Sequence, residues 1–340
     1  MSLNVAIAGL GYFSRFHQDA WSRCPEVRVI AVADAEPDNL AAAATLFPDA
    51  RRFNNAEEML GAVTPDCLDI VTPPATHLRL VSAAATRGIA TICQKPLASA
   101  WDDAVAVVEV AQRAGIPLIV HENFRFMPWF REARHLVDAG RIGMPLHVTF
   151  RLRPGDGQGP QAYLARQPYF QNMPRFLIHE TGIHLIDVFR FLMGEISGVF
   201  ARLKRINPAI KGEDAGIVVF DFANGATGIF DGNRLVGHPA DDARMTNGVM
   251  FLEGTGGTIR LDGFGRLFLL AHGGAEIEHA YPWENRGFGG DCVFQQVRHI
   301  VDHFVRGTPI VNSGRDYLRN VEIEELIYRS GREGRFLVAS

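Results

Sequence analysis

The segment IHETGIHLID, Ile178 to Asp187, gathers two histidines, a glutamate and an aspartate among apolar residues. As a metal site it fails on spacing, because His179 and His184 stand five residues apart and would face different sides of a helix. Glu180, His184 and Asp187 would share one stripe if the segment is α-helical from Glu180 onward. A carboxylate one turn from an imidazole orients it and raises its basicity. The pattern therefore predicts acid/base chemistry, with Glu180 orienting His184, and no metal.

The N-terminal residues have the pattern of a phosphate-binding turn. The apolar run NVAIAGLG leads into a Gly-x-Gly-x-x-Ser turn that ends at Ser14, and a helical pattern follows. Gly9 permits a tight turn, Gly11 lets the backbone approach a pyrophosphate, and the helix N-terminus offers free N–H groups. Ser14 stands where a third glycine or alanine is usual. The residues expected to contact a dinucleotide here are Gly9, Gly11, Tyr12 and Phe13.

The second predicted strand, VRVIAVAD, ends at Asp34, 20 residues after Ser14. A carboxylate at this point can accept hydrogen bonds from both ribose hydroxyls of NAD, and it would repel the 2'-phosphate of NADP. The next residue is Ala35, where an arginine would have favoured NADP. NAD is therefore the predicted cofactor, favoured over NADP. The alternative that Asp34 only caps the following helix stays open.

Strand and helix patterns alternate through residues 1–122, which predicts an NAD-binding domain of the Rossmann type, an α/β fold with a doubly wound parallel sheet. In such a sheet ligands bind at the carboxyl ends of the strands. The loops TPPATH, CQKP and HENFRF should meet there. Asn123 and Arg125 follow the last strand and are candidates for binding substrate. The further candidates for cofactor binding are Thr72, Pro73, His77, Gln94 and Lys95.

Residues 123–340 have strands joined by Asn-Gly or Gly-rich turns of hairpin type, and then two helical stretches. This predicts a second, α+β domain with a mostly antiparallel open sheet, for substrate binding and oligomerisation. Its loop Pro154–Phe176 is suited to gripping a polyhydroxylated or acidic ligand, with Arg175 as a candidate carboxylate clamp. A surface or subunit-contact role for this loop is an open alternative. Asp187 is expected to pair with a nearby arginine or to act as a cap.

Composition excludes several classes of function. With 47% hydrophobic and 21% charged residues, the 340-residue chain resembles an ordinary globular protein of two domains. A net charge of -4, with scattered Lys and Arg, provides no field for nucleic acid or an anionic membrane. No apolar stretch reaches about 18 residues. The 4 cysteines lack zinc-type spacing, which favours reduced thiols in a cytoplasmic protein.

Taken together, the motifs resemble those of the glucose-fructose oxidoreductase and inositol dehydrogenase family (Gfo/Idh/MocA). The resemblance covers almost the whole chain and is carried by the glycine turn with His17 after it, by TPPATH, QKP, FRFMP and ETGIHLID, and by the closing helices. It implies an oxidoreductase that transfers hydride between NAD and a secondary hydroxyl of a sugar, polyol or sugar acid. It also implies that Lys95 and His184 are the catalytic pair and contact substrate, with Glu180 in the place of the family's aspartate. A homodimer or homotetramer is the implied assembly.

Two residues depart from the family's usual pattern. Gln94 stands where a glutamate is usual, which removes a negative charge beside Lys95, and Glu180 is one methylene longer than the usual aspartate. They leave open which residue of the group carries the proton. Two other functions stay as alternatives: a non-catalytic nicotinamide-binding sensor or regulator, and an NAD-using glycosidase or lyase that oxidises its substrate transiently. His179 is assigned no role.

Overall fold

The computed structural model describes residues 2–339, and their contacts divide the chain into two units. The first unit comprises the residues up to Asn123 together with Cys292–Val321. The second comprises Phe124–Asp291 together with the residues from Glu322 onward. The sequence predicts a single boundary, between residues 122 and 123, so the return of Cys292–Val321 to the first unit is a difference from that prediction.

The secondary structure changes along the chain from alternating strands and helices to a run of strands. The strands are β1 (Leu3–Ala8), β2 (Val27–Ala33), β3 (Arg51–Phe53), β4 (Cys67–Ile70), β5 (Ala90–Gln94), β6 (Leu118–His121), β7 (Pro145–Leu152), β8 (Ile196–Lys204), β9 (Ala215–Phe222), β10 (Thr227–Asn233), β11 (Gly248–Gly254), β12 (Gly257–Leu261), β13 (Leu267–Ala271), β14 (Glu276–His279) and β15 (Leu337–Val338). The α-helices are α1 (Ser14–Ser22), α2 (Pro37–Leu46), α3 (Ala56–Ala62), α4 (His77–Ala85), α5 (Trp101–Ala114), α6 (Pro128–Asp138), α7 (Ile183–Met193), α8 (Ala243–Thr246), α9 (Cys292–Arg306) and α10 (Gly314–Glu333).

The first sheet has the strand order β3-β2-β1-β4-β5-β6, and its strands pair in parallel. Every residue of β4, β5 and β6 is buried, because the helices that connect parallel strands cover both faces of the sheet. This confirms the predicted doubly wound α/β fold. Local signals fix the helices: Asn55 caps α3 by accepting hydrogen bonds from the backbone N–H groups of Glu57 and Glu58.

The segment Cys292–Val321 belongs to the first unit because its side chains satisfy that unit's backbone. Gln296 of α9 donates to the carbonyl of Val120 at 3.0 Å, and Asn312 donates to the carbonyl of Glu122 at 3.0 Å. Helix α9 also packs against α1. These partners lie far apart in sequence, so no local pattern could have predicted the return.

The second sheet has the strand order β14-β13-β12-β11-β7-β10-β9-β8-β15. Within residues 2–339 its pairings are antiparallel except that of β7 with β10. Burial alternates along its strands, as in β7, where Val148, Phe150 and Leu152 are fully buried and their neighbours are not. The predicted mostly antiparallel α+β unit is therefore confirmed.

The segment before α7 differs from the predicted continuous α-helix. Leu177–Gly182 forms a π-helix, whose hydrogen bonds join residues five apart. The Glu213 carboxylate accepts from the backbone N–H groups of Phe176 at 3.2 Å and Ile178 at 3.1 Å, and so holds the start of this wider turn. The predicted stripe from Glu180 to Asp187 assumed α-helix throughout and is wrong in that respect. Isolated π-turns are frequent at functional sites.

Candidate active site

The carboxyl ends of β2, β1, β4, β5 and β6 lie side by side at one edge of the first sheet, which we call the rim. Because these strands are parallel, the residues that follow them come to the same edge. The sequence candidates of the first unit all end or follow one of these strands. They are Gly9, Gly11, Tyr12 and Phe13 after β1, Asp34 after β2, Thr72, Pro73 and His77 after β4, Gln94 and Lys95 at the end of β5, and Asn123 after β6.

The two glycines of the turn have different tasks. Gly9 has a φ of +91°, and a Cβ there would lie 2.8 Å from the carbonyl carbon and oxygen of Val71. A Cβ on Gly11 would meet nothing within 4 Å among the described residues. Gly9 is thus required by the protein itself, whereas Gly11 leaves open space above the backbone. The Ser14 hydroxyl closes the turn by donating to the carbonyl of Gly11 at 2.7 Å.

The start of α1 is suited to a phosphate group. Within residues 2–339 no side chain caps this helix, so the positive end of its dipole faces the turn. Tyr12 is 42% exposed and accepts a hydrogen bond from Arg15 at 3.0 Å. The Phe13 ring packs on Phe16, with centroids 5.3 Å apart. With the open space at Gly11, the turn fits a dinucleotide pyrophosphate.

Asp34 ties the end of β2 to the glycine turn. One carboxylate oxygen accepts from the N–H of Leu10 at 2.6 Å, and the other accepts from the N–H of Glu36 at 2.8 Å and from Asn39 at 3.2 Å. The N-cap position of α2 is Glu36 and not Asp34. The side chain is half-buried, and the oxygen that accepts from Leu10 has a second lone pair, so it can still accept a hydrogen bond from a ribose hydroxyl.

His77 joins two loops of the rim. Its Nδ1 lies 3.0 Å from the carbonyl oxygen of Leu97, and its Nε2 lies 2.9 Å from the carbonyl oxygen of Thr72. The ring is fully buried, and that burial lowers the pKa of His77 despite the two carbonyl contacts. His77 therefore fixes the loops after β4 and β5 instead of facing a ligand, while Thr72 and Pro73 keep surface at the rim.

Gln94 and Lys95 are anchored by a buried set of hydrogen bonds. The N–H of Lys95 donates to Gln94 Oε1 at 2.7 Å, and Gln94 Nε2 lies 3.0 Å from His17 Nε2. His17 Nδ1 lies 2.9 Å from Asp69 Oδ2, which also accepts from the indole N–H of Trp21 at 2.7 Å. The Lys95 side chain is half-buried, and the Lys95–Pro96 peptide bond is cis.

Asn123 ends the first unit at the rim. It is only 2% exposed, and its amide oxygen has no hydrogen-bond partner within the part of the chain that the structure describes. A buried acceptor of this kind is costly unless a ligand or water donates to it. Asn123 is therefore suited to accept a hydrogen bond from a hydroxyl group.

In the second unit, His184 is the second residue of α7 and is 5% exposed. Its ring stacks on Phe124, with centroids 3.9 Å apart and planes inclined by 1°. Arg125, the next residue, forms a bidentate pair with the buried Asp187, at 2.7 and 2.6 Å. Asp187 thus has the arginine partner that the sequence predicts. The same pair holds Phe124, and with it the plane of His184, against α7.

Glu180 has a charged partner that the sequence did not indicate. Arg234 is 4% exposed, and it donates to Glu180 at 3.2 Å and to Thr181 Oγ1 at 2.7 Å. Thr181 in turn donates to the Glu180 carboxylate. The remaining nitrogens of Arg234 donate to Asp156 at 3.2 and 2.9 Å. Burial disfavours the cation, but the Asp156 and Glu180 carboxylates more than offset this effect and raise the pKa of Arg234.

The loop Pro154–Phe176, whose role was open, folds around this arginine. The Arg234 guanidinium carbon lies 5.2 Å from the Tyr163 ring centroid, 5.6 Å from that of Phe170 and 4.7 Å from that of Phe176. These rings form a buried cluster within the loop. Cation–π contacts of this kind are worth about 2 kcal/mol when desolvated. The loop therefore acts on Glu180 through Arg234.

Arg175 and His179 are engaged inside the second unit. Arg175 forms a bidentate pair with Glu325 and lies over the Tyr328 ring, 4.5 Å from its centroid. His179 Nδ1 lies 2.7 Å from the buried carboxylate of Glu324. Hydrogen bonding and charge from Glu325 raise the pKa of Arg175. Arg175 thus already holds a carboxylate of the protein, which leaves it poorly suited to the predicted role of substrate clamp.

Comparison with known proteins decides the family. A model described as an oxidoreductase family with an NAD-binding Rossmann fold matches residues 3–122, and a model of the Gfo/Idh/MocA C-terminal domain matches residues 130–260. The chain belongs to the Gfo/Idh/MocA family. The family resemblance of the sequence is thereby confirmed.

Two Gfo/Idh/MocA relatives match nearly the full chain. A D-apiose dehydrogenase of Rhizobium rhizogenes is 33% identical over 342 residues, covering 98% of this chain and 96% of that protein. A crystal structure of an oxidoreductase from Agrobacterium radiobacter, in complex with NAD+, L-tartaric acid and magnesium, superposes with a TM-score of 0.89 at 31% identity and covers 99% of this chain and 98% of that chain. A levoglucosan dehydrogenase structure, at 22% identity and a TM-score of 0.84, shows the shared fold.

Two kinds of feature are absent from the described residues. No helix within residues 2–339 combines the length and the apolar character needed to cross a bilayer. The same residues contain no group of three or more histidine, cysteine, aspartate or glutamate side chains arranged to hold a metal ion.

Replacement of Gly9 by alanine tests the close approach at the turn. The added Cβ meets the Val71 carbonyl and the backbone has a positive φ, so the free energy of unfolding should fall by roughly 1–3 kcal/mol. Gly11→Ala is the matched control, because its Cβ enters open space and should leave the unfolding temperature without ligand unchanged. Addition of NAD should then raise that temperature less in Gly11→Ala than in the unmodified protein. If Gly9→Ala and Gly11→Ala unfolded at the same temperature without ligand, the proposed difference between the two glycines would be contradicted.

Replacement of Arg234 by methionine tests the buried cation. Asp156 and Glu180, whose side chains are 18% and 19% exposed, would lose their shared partner, and the free energy of unfolding should fall by about 3 kcal/mol. Arg166→Met is the control, since Arg166 also donates to Asp156, at 3.2 Å, but is 25% exposed and should cost under about 1 kcal/mol. Urea denaturation measures the free energy of unfolding of both variants. Similar losses of stability in Arg234→Met and Arg166→Met would argue against a special role for Arg234.

Proposed function

We propose that this protein is an NAD-dependent oxidoreductase that acts on a secondary hydroxyl of a sugar, polyol or sugar acid. The observation that carries the proposal is the rim, where an acidic residue after β2, a phosphate-binding turn after β1 and a lysine after β5 stand at the same edge of the sheet, with β4 between β1 and β5. A dinucleotide laid along Gly11 and Asp34 extends across these ends. A lysine at the end of β5, beyond the turn on the same edge, is what a hydride-transfer site needs.

Lys95 and His184 are the residues proposed to handle the hydroxyl proton. NAD, when bound, supplies the acceptor for the hydride that leaves the carbinol carbon. As that hydride departs, the hydroxyl proton has to pass to a base, and an imidazole such as His184 suits this near neutral pH. The Lys95 ammonium group stabilises negative charge developing on the oxygen. Glu180, held by Arg234, is proposed to act on His184 and not on substrate directly.

The substrate is proposed to be held by hydrogen bonds to its hydroxyl groups. Asn123 offers a buried amide oxygen for one of them. Arg125 was a candidate for this task, but its guanidinium is occupied by Asp187, so its proposed contribution is to set the Phe124 and His184 rings. The Rhizobium rhizogenes relative is named as a D-apiose dehydrogenase and the Agrobacterium structure contains L-tartaric acid, which makes both compounds first choices for a substrate panel.

The alternative functions are not favoured by these relatives. The full-length relative is named as a dehydrogenase, which supports neither a non-catalytic sensor nor a glycosidase or lyase with transient oxidation. Assembly as a homodimer or homotetramer is proposed through the second sheet, where Leu146, Ile217 and Phe251 stand exposed on strands. A cytoplasmic location stays a prediction from composition.

Lys95→Ala tests the catalytic assignment. With D-apiose, L-tartrate, inositols and aldonic or uronic acids offered with NAD, reduced nicotinamide should accumulate for at least one of them. Lys95→Ala should lower kcat for it by roughly 100-fold or more while the Kd for NAD changes by less than about twofold. Lys204→Ala, an exposed lysine on β8, is the control and should behave as the unmodified protein. Undiminished turnover in Lys95→Ala would refute the assignment.

Asp34→Ala tests the preference for NAD. Removal of the carboxylate takes away the acceptor for the ribose hydroxyls and the charge that repels a 2'-phosphate. The ratio of kcat/KM for NAD to that for NADP should therefore fall by roughly tenfold. Asp38→Ala, in the first turn of α2, is the control and should leave this ratio as it is. An unchanged ratio in Asp34→Ala would show that selectivity lies elsewhere.

A further inference from the structure

We propose that Asp69, His17 and Gln94 form a positioning chain with one fixed arrangement of hydrogens, which holds the main chain of Lys95 at the rim. The proposal rests on the proposed function only in that Lys95 is the reacting lysine. The arrangement of hydrogens itself follows from the hydrogen bonds and is testable without any substrate. Asp69, His17 and Gln94 themselves are not proposed to contact the reacting atoms.

The arrangement begins at a group whose role cannot change. The backbone N–H of Lys95 can only donate, and it lies 2.7 Å from the side-chain end of Gln94. The near atom must therefore be the amide oxygen, which places the amide NH2 on the other side. That NH2 group lies 3.0 Å from His17 Nε2, and because an amide nitrogen only donates, His17 Nε2 must be the acceptor.

The ring proton of His17 is thereby placed on Nδ1. This N–H donates to Asp69 Oδ2 at 2.9 Å, and the indole N–H of Trp21 donates to the same oxygen at 2.7 Å. All donors in the chain thus point from Lys95 towards Asp69. A second proton on His17 would sit on Nε2 and point at the amide hydrogens of Gln94. Gln94 therefore disfavours the doubly protonated ring, although the Asp69 carboxylate would attract its positive charge.

Because the side chains of the positioning chain are buried, this arrangement of hydrogens is stable. His17 and Asp69 are fully buried, Trp21 is 1% exposed and Gln94 is 9% exposed, so water cannot replace a lost partner at little cost. The chain joins α1, β4 and the end of β5, and the His17 ring also packs on His121 of β6, with centroids 4.0 Å apart. The position of the Lys95 main chain is therefore set by three strands and the helix that opens at the glycine turn.

The arrangement of hydrogens is tested by 15N NMR of the full-length protein labelled at histidine, with the His17 signals assigned by their loss in His17→Asn. We expect a protonated Nδ1 and an Nε2 with a bare lone pair. In Gln94→Glu the carboxylate can still accept from the Lys95 N–H but cannot donate to His17, so His17 should become protonated on both nitrogens. An Nε2–H tautomer or a doubly protonated ring in the unmodified protein would overturn the proposal.

The positioning role is tested by Gln94→Met, which has similar size and loses both hydrogen bonds. The kcat should fall roughly 10- to 100-fold with the KM for NAD changed by less than about twofold, and kcat should fall less in Gln94→Glu, which keeps the acceptor for Lys95. Gln296→Met is the matched control, a buried glutamine on α9 of the same unit, and should cost stability without loss of kcat.

The outcomes separate this proposal from the proposed function. If Lys95→Ala is fully active, the catalytic assignment fails while the NMR result still decides the arrangement of hydrogens. If Lys95→Ala is inactive and Gln94→Met keeps the kcat of the unmodified protein, the positioning chain is refuted and the proposed function stands.

Discussion

The buried carboxylate of Asp69 is the constraint on which the first unit depends. It lies on β4, in the interior of the parallel sheet, and a charge there is tolerated only while hydrogen bonds hold it. Both donors, His17 and Trp21, lie on α1. If this helix moved away from the sheet, the buried Asp69 carboxylate would lose both of these hydrogen bonds. Burial, and then the Asp69 charge, raises the pKa of the Cys67 and Cys93 thiols, so neither provides a thiolate near neutral pH.

The second unit is organised around a buried charge of the opposite sign. A cation buried as deeply as Arg234 is stable only with carboxylates and aromatic ring faces around it, and the loop Pro154–Phe176 supplies Asp156 and the rings. Arg234 also restricts the Glu180 side chain, whose carboxylate accepts hydrogen bonds from Arg234 and Thr181 at the π-turn. Glu213 holds the same turn from its other end. A wider helical turn, fixed at both ends, is thus the platform from which α7 and His184 begin.

The sequence predicted those features whose causes are local. A strand followed by a glycine turn, and an acidic residue at the end of the next strand, gave the parallel sheet, the turn at Gly9 and the position of Asp34. The features it missed depend on residues far apart. Arg234 lies 54 residues from Glu180, and Gln296 lies 176 residues from Val120. No window of sequence contains both members of such a pair, so hydrophobic period and spacing could not reveal the π-turn or the return of α9.

Helix α1 links the two tasks of the first unit. Its N-terminus faces the glycine turn, and its 9 residues, about 13 Å long, carry His17 and Trp21 against Asp69. A short helix moves as a rigid body. A phosphate bound at the N-terminus of α1 would therefore contact the same helix whose His17 side chain holds Gln94 and, through it, the Lys95 main chain. The neutral amide of Gln94 suits this arrangement. A second carboxylate beside His17 would require an extra proton to hold the ring between two negative charges, whereas the amide completes the chain with the hydrogens it already has.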